Sequence, residues 1–273
     1  MRKKLIIFIL FIFLFILLLM WGGQFFHPFL STGKIAHVSI DDVSKCFSNL
    51  SKDSIKYESI FDEPFFRYLK ELHDDYDCSV TCYCFVKDGD YNVSKIPNKY
   101  AREFAENSNW LKFGFHGIEP SDHKPTNVKY LDFVTAFSHF KNEVERFASV
   151  NNNANILRLD YYYATPGEVD FLRNNGVSTL LSADDDRRSY YLPFIKNSQL
   201  ISKNSIQYGG LKYLRTNIRI ENIDFPYLNI LRNRERDTLV VFTHEWKLDK
   251  INKYKLSRTI KILKDLNYKF ISE

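Results

Sequence analysis

Two aspartates stand side by side, Asp41 and Asp42, at the end of the apolar run IAHVSIDDV (35–43). Adjacent carboxylates repel, and the repulsion raises one pKa unless a cation intervenes. One carboxylate of such a pair can bind a divalent metal while the other faces a substrate as a base. The pair alone fits a helix cap equally well, since DDVSKC can open a helix. Other apolar runs end in matching chemistry. His116 closes LKFGFHG, Arg158 and Asp160 lie in NILRLDYYYA, Asp184 and Asp185 close VSTLLSADDD, and His244 closes DTLVVFTHEW. A neutral imidazole at a strand end is a common metal ligand. His123 follows His116 by seven residues, and Glu119 is another oxygen donor in the same loop. His244 has three open roles: metal ligand, general acid or capped core residue, with Glu245 beside it as a supporting partner.

One polar strand end is unremarkable, but five in succession indicate a single site. The elements that would position it alternate along the chain. Strands are predicted over 35–43, 78–86, 111–117, 155–164, 177–186 and 237–246, with a short last strand over 268–272. Helices are predicted over 63–76, 97–110, 130–150, 165–176 and 252–266, the third with Phe133, Phe137, Phe140, Val144 and Phe147 along one side. The helical rhythm breaks between 198 and 231, where 209–223 reads as a strand or hairpin. Alternating strands and helices build a mainly parallel sheet, open or closed into a barrel. In a closed β/α barrel the C-terminal strand ends converge on one face, where the active site lies.

The chain has 273 residues, enough for one large α/β domain after an N-terminal segment. Net charge is +5, with 38 basic and 33 acidic residues interspersed, so no basic stripe of the nucleic-acid-binding kind is present. Aromatic residues reach 16%, and core filling explains them better than a sugar groove does. The four cysteines, Cys46, Cys78, Cys82 and Cys84, lack a second Cys or His pair at zinc spacing and read as buried thiols.

After MRKK, residues 5–21 carry no charge, the short end of a membrane span, and 22–26 can lengthen it. WGGQFFHPF offers no small-residue cleavage pattern. An uncleaved signal anchor over 1–26 is therefore expected, then a short tether over 27–34 and a catalytic domain over 35–273. The basic start holds the N-terminus inside, which makes a single-pass cell-membrane protein whose C-terminal domain is extracytoplasmic.

Taken in order, SIDDV, FGFHG, LRLDY, SADDD and FTHEW resemble the motifs of carbohydrate esterase family four, the polysaccharide deacetylases, across 35–273. The resemblance implies a distorted (β/α) barrel of about seven strands. It implies a divalent metal, usually zinc, and removal of N- or O-acetyl groups from an envelope or exported polysaccharide. By the same resemblance Asp41 is the general base, Asp42 and His116 are metal ligands, Arg158 braces the catalytic aspartate and His244 protonates the leaving group. Val43 stands where the family has Gly, Pro120 stands where it has its second metal His, and Arg158 lacks the nearby Pro. His123, Glu119 or a water is then the third metal ligand, with His123 the first choice. A catalytically lapsed descendant that binds glycan is the alternative.

Overall fold

β1 (Ile35–Asp41) is buried along six consecutive residues, so both its faces are covered. That is the pattern of a parallel sheet wrapped in helices. The computed structural model describes residues 33–121 and 125–273. The apolar N-terminal run, most of the tether and His123 lie outside the described residues. After β1 come α1 (Lys45–Lys52), α2 (Pro64–Tyr76), β2 (Val80–Phe85) and a small hairpin, β3 (Lys87–Asp88) with β4 (Tyr91–Asn92). Next are α3 (Ala101–Glu106), β5 (Leu111–Gly117), α4 (Tyr130–Phe147), β6 (Ile156–Leu157), α5 (Pro166–Asn174), β7 (Thr179–Ser182) and α6 (Phe194–Lys203). Then follow β8 (Ser205–Tyr208), β9 (Leu211–Arg215), β10 (Ile218–Arg219), α7 (Pro226–Arg232), β11 (Thr238–His244), α8 (Lys250–Asp265) and β12 (Lys269–Ile271).

One sheet runs β10-β11-β1-β2-β5, all parallel, with β12 beside the first residues of β1. The other runs β6-β7-β9-β8, with β8 the antiparallel arm of a hairpin. The two sheets join on both sides. A parallel bridge between Phe113 and Asn153 links β5 to the segment entering β6. On the other side only Thr216 and Asn217 separate β9 from β10, and Asn217 N–H donates to Val240 O at 3.0 Å. One bent strand thus serves both sheets. Counted as one, it closes a ring of seven: β1, β2, β5, β6, β7, β9–β10 and β11. This is the expected distorted barrel. Among the described residues no helix is long and apolar enough to cross a membrane.

The aromatic residues fill the core. Phe47 of α1 meets Phe66, Phe113 and Phe147 edge-on, with centroids 5.4, 5.4 and 5.5 Å away. Edge-to-face pairs at this spacing are favourable beyond their area burial. The α4 stripe is the predicted one: Phe133, Phe137, Phe140, Val144 and Phe147 are buried. All four cysteines are free and buried, and burial pushes the thiols of Cys82 and Cys84 well above their ordinary range.

Several boundaries differ from expectation. The strand predicted over 155–164 is only β6, because the chain turns at once into the turn Asp160–Tyr162, where Tyr161 and Tyr162 take left-handed φ of 52° and 54°. The strand predicted over 177–186 stops at Ser182. The helix predicted over 97–110 is a single 3-10 turn, Asn98–Tyr100, followed by the short α3. Glu63 lies outside α2 and caps it, accepting from Phe65 N at 2.6 Å.

Candidate active site

β1 and β11 are parallel neighbours in unbroken register, and their last residues, Asp41 and His244, are partners. The two groups therefore emerge side by side at the C-terminal rim. Asp42 follows with φ 57°. Aspartate tolerates this left-handed conformation better than most residues. A plain strand would send neighbouring side chains to opposite faces. The left-handed turn instead lets Asp41 and Asp42 line one cleft of about 280 Å³, with His116, Pro120, Ser121, Arg158, Asp160, Tyr161, Tyr162, Arg187, Arg219 and His244. The residue after the aspartates has no positive φ here, so Val43 serves where the family has Gly. It is fully buried and donates N–H to Tyr83 O at 3.0 Å.

Asp41 is buried, and its Oδ2 accepts from Arg158 Nη1 at 3.1 Å. Its Oδ1 is buried and has no hydrogen-bond partner among the described residues. Arg158 is itself buried. Its Nη2 donates to Thr216 Oγ1 at 3.1 Å, and its guanidinium lies 4.0 Å from the Phe242 ring centroid. Two buried charges so paired hold each other in place, and removing either strands the other.

His116 donates from Nδ1 to Arg158 O at 2.6 Å, and its Nε2 faces Asp42 Oδ1 at 3.2 Å. The other Asp42 oxygen accepts from Trp246 Nε1 at 2.9 Å. Burial alone would raise Asp42, but the hydrogen bond from His116, with its charge and that of His244, brings it down to about 2. Burial would lower His116, but Asp42 and the neighbouring Asp41 and Asp160 carry it up to about 9. Burial pushes Asp160 up to about 6, with His116 pulling down and Asp42 pushing up.

This donor set fits a divalent metal. An imidazole whose Nδ1–H is tied to a backbone carbonyl presents Nε2 as a ligand, the usual arrangement around bound metals. Without a metal, Nε2–H of His116 donates to Asp42, and a divalent ion bound between the two would stand in place of that proton. Asp42 and His116 are two donors. Among the described residues no group of three His, Cys, Asp or Glu is arranged to hold a metal ion. Glu119 pairs with Lys87 Nζ at 2.9 Å and is not among the residues that line the cleft. His123 lies outside the described residues.

His244 Nδ1 lies 2.8 Å from Glu221 Oε1, which also accepts from His244 N at 2.9 Å and Thr243 Oγ1 at 3.0 Å. Burial would raise Glu221, but the hydrogen bond from His244 outweighs it and holds the carboxyl at about 2. Glu221, not Glu245, is the partner of His244. Glu245 takes the backbone N–H groups of Ser44, Lys45 and Cys46, each at 2.8 Å. It caps α1 from across the sheet, where Ser44 provides no side-chain cap. Asp185 pairs with Arg187 at 2.6 Å and Asp186 with Arg215 at 2.8 Å; Arg187 lines the cleft, but neither aspartate does. The site draws on strand ends 41, 116, 158–160 and 244, and not on the 184–185 pair.

No protein-family profile matches the chain, and no curated protein matches its sequence. Solved structures do match its fold. A proposed polysaccharide deacetylase from Mycobacterium smegmatis aligns with a TM-score of 0.53 over 90% of this chain and 89% of that one, at 12% identity. An acetyl xylan esterase of family 4 from Clostridium thermocellum, in complex with cobalt, aligns with a TM-score of 0.47 at 12% identity, covering 87% of each chain. A peptidoglycan N-acetylglucosamine deacetylase aligns at 0.48 and 11% identity, over 87% of this chain and 85% of that one. The first of these shows the fold: this chain shares that protein's barrel.

Proposed function

We propose that this chain is a divergent member of carbohydrate esterase family four that removes acetyl groups from a polysaccharide with the help of a divalent metal, zinc by preference. The observation that carries the reading is the register of Asp41 with His244, with the facing pair of Asp42 and His116 beside them. Asp41, read as the base, His244, read as the acid, and Asp42 with His116, read as metal donors, line one cleft. Asp42 and His116, with His123 as the proposed third ligand, would hold the ion. When bound, such an ion polarises the acetyl carbonyl and lowers the pKa of water.

The chain's own residues do the proton work. Asp41 is locked through Oδ2 by Arg158, and its unpartnered Oδ1 takes the proton of the attacking water. Glu221 takes the Nδ1–H of His244, which leaves Nε2 as the atom that hands a proton to the departing sugar nitrogen or oxygen. Proton transfers of this kind contribute typically ~10²–10⁴-fold.

The proposed setting is the outer face of the cell membrane, held by residues 1–26. The uncharged run over 5–21 after a basic start supports it. The test of function is acetate release by the metal-supplied protein from N-acetylated chitooligosaccharide, peptidoglycan and O-acetylated xylan. Release from any of these supports the reading, and no release with zinc or cobalt supplied overturns it. A second reading, a lapsed deacetylase that binds glycan without cutting it, is favoured by one observation: Pro120 stands where the family has its second metal His. Glycan binding without acetate release would establish that reading instead.

A further inference from the structure

We infer that Trp246 has two tasks at the cleft: its indole N–H sets the orientation of Asp42, and its ring is the platform for a sugar of an N-acetylated glycan. The inference rests on the deacetylase reading. Trp246 sits in the turn directly after β11, two residues past His244. Trp246 is 63% exposed, the reverse of Trp110, which is buried. Its polar edge is committed, with Nε1 donating to Asp42 Oδ2 at 2.9 Å.

A tryptophan with its N–H bonded and its ring in water pairs a fixed polar end with an apolar face open to a ligand. The ring is held in place. Glu245, its neighbour, is anchored by three backbone N–H groups at the start of α1, so the turn cannot swing away. Its centroid is 5.4 Å from that of His244, the proposed proton donor to the leaving sugar. Lys247 Nζ lies 4.3 Å from the ring centroid, a contact that is weak at exposed sites and open to replacement.

The opposite wall supports the same reading. In the ring of seven strands β6 and β11 stand on opposite sides. The turn after β6 places Tyr162 in the cleft lining, held at φ 54°. Backbone strain of this kind in a bulky residue persists only where the surroundings enforce it, and it clusters at ligand sites. Here Tyr190 N–H donates to Tyr162 O at 2.8 Å and fixes the turn.

Two substitutions separate the two tasks in the full-length protein. Trp246→Phe keeps an aromatic face and loses the N–H, whereas Trp246→Ala loses both. Chitotetraose affinity is measured by calorimetry, and zinc affinity by competition with a chromogenic chelator. The expected result is a roughly tenfold or greater loss of chitotetraose affinity in Trp246→Ala but little loss in Trp246→Phe. Zinc affinity should fall roughly tenfold or more in both variants, the usual consequence of removing a group that orients a metal ligand. Chitotetraose bound equally well by Trp246→Ala, or zinc bound equally well by Trp246→Phe, would overturn the inference alone. A wild-type protein that binds neither probe would overturn the deacetylase reading and the inference with it.

Discussion

Glu221 Oε1 stands 2.8 Å from His244 Nδ1 and accepts the backbone N–H of the same histidine at 2.9 Å. One carboxylate thus fixes both the tautomer and the position of the proposed acid. Arg219 Nε lies 3.6 Å from the other oxygen of Glu221. On the proposed reading His244 donates the proton, and Asp42 and His116 hold the metal. His244→Ala should lose ~10²–10⁴-fold in turnover, the usual worth of a general acid, while zinc affinity stays at the wild-type value. Loss of zinc in that variant, read by metal analysis, would make His244 a ligand.

Glu221 also ties stability to pH. Its folded-state carboxyl is held at about 2, below the ordinary 4.5. A depressed carboxyl stabilises the fold above its unfolded pKa, and that contribution is lost as pH falls toward the folded value. Wild type should therefore exceed Glu221→Gln in unfolding free energy by up to roughly 3 kcal/mol near pH 6. The gap should close between about 4.5 and about 2. Denaturant titrations of both proteins across that window measure it, and a gap independent of pH would contradict the assignment.

Arg158 and Asp41 form a buried pair at 3.1 Å. Arg158→Met leaves Asp41 charged and unpaired, and breaking such a pair costs about 3–5 kcal/mol. Adding Asp41→Asn removes the stranded charge, so the double variant should recover part of that loss. Urea denaturation of the single and double variants makes the comparison. Equal stability of the single variant and wild type would show that the pair is not closed in solution.

Gly114 in β5 has a different constraint. A Cβ there would lie 2.6 Å from Tyr83 Cδ1 and Cε1, and 3.1 Å from Leu157 Cδ2. Tyr83 is fully buried and donates to Ile156 O at 2.8 Å, so it has nowhere to move. Gly114→Ala should cost about 1–3 kcal/mol, the usual range for overpacking a core, seen as a lower urea midpoint.

Much of the site was legible because apolar runs ending in Asp41, His116 and His244 are strands whose ends meet. Sequence spacing does not contain the register that makes Asp41 and His244 partners. Glu221 was missed because it lies in the 3-10 turn Ile220–Asn222 after the two-residue strand β10, too short for any periodicity. An acid directly after a short apolar strand was the available signal, the same one that marked Asp41. Asp184 and Asp185 carried that signal too, yet β7 ends at Ser182, Asp185 pairs with Arg187, and neither acid lines the cleft. Glu245 looked like the support for His244 by adjacency alone, yet in an extended strand neighbouring side chains diverge. It reached α1 instead.

The metal donors can be tested by exchange. Zinc should bind near one equivalent in wild type and be lost in His116→Ala, with His123→Ala equally impaired if His123 is the third ligand. Unchanged affinity in His123→Ala would leave that position to Glu119 or water.

The most direct measurement is acetate released from N-acetylchitotetraose by the zinc-loaded full-length protein, beside its Asp41→Asn variant. The account predicts release by wild type and a loss of at least ~10²-fold in Asp41→Asn. Release that continues undiminished in Asp41→Asn, or none from wild type, would contradict it.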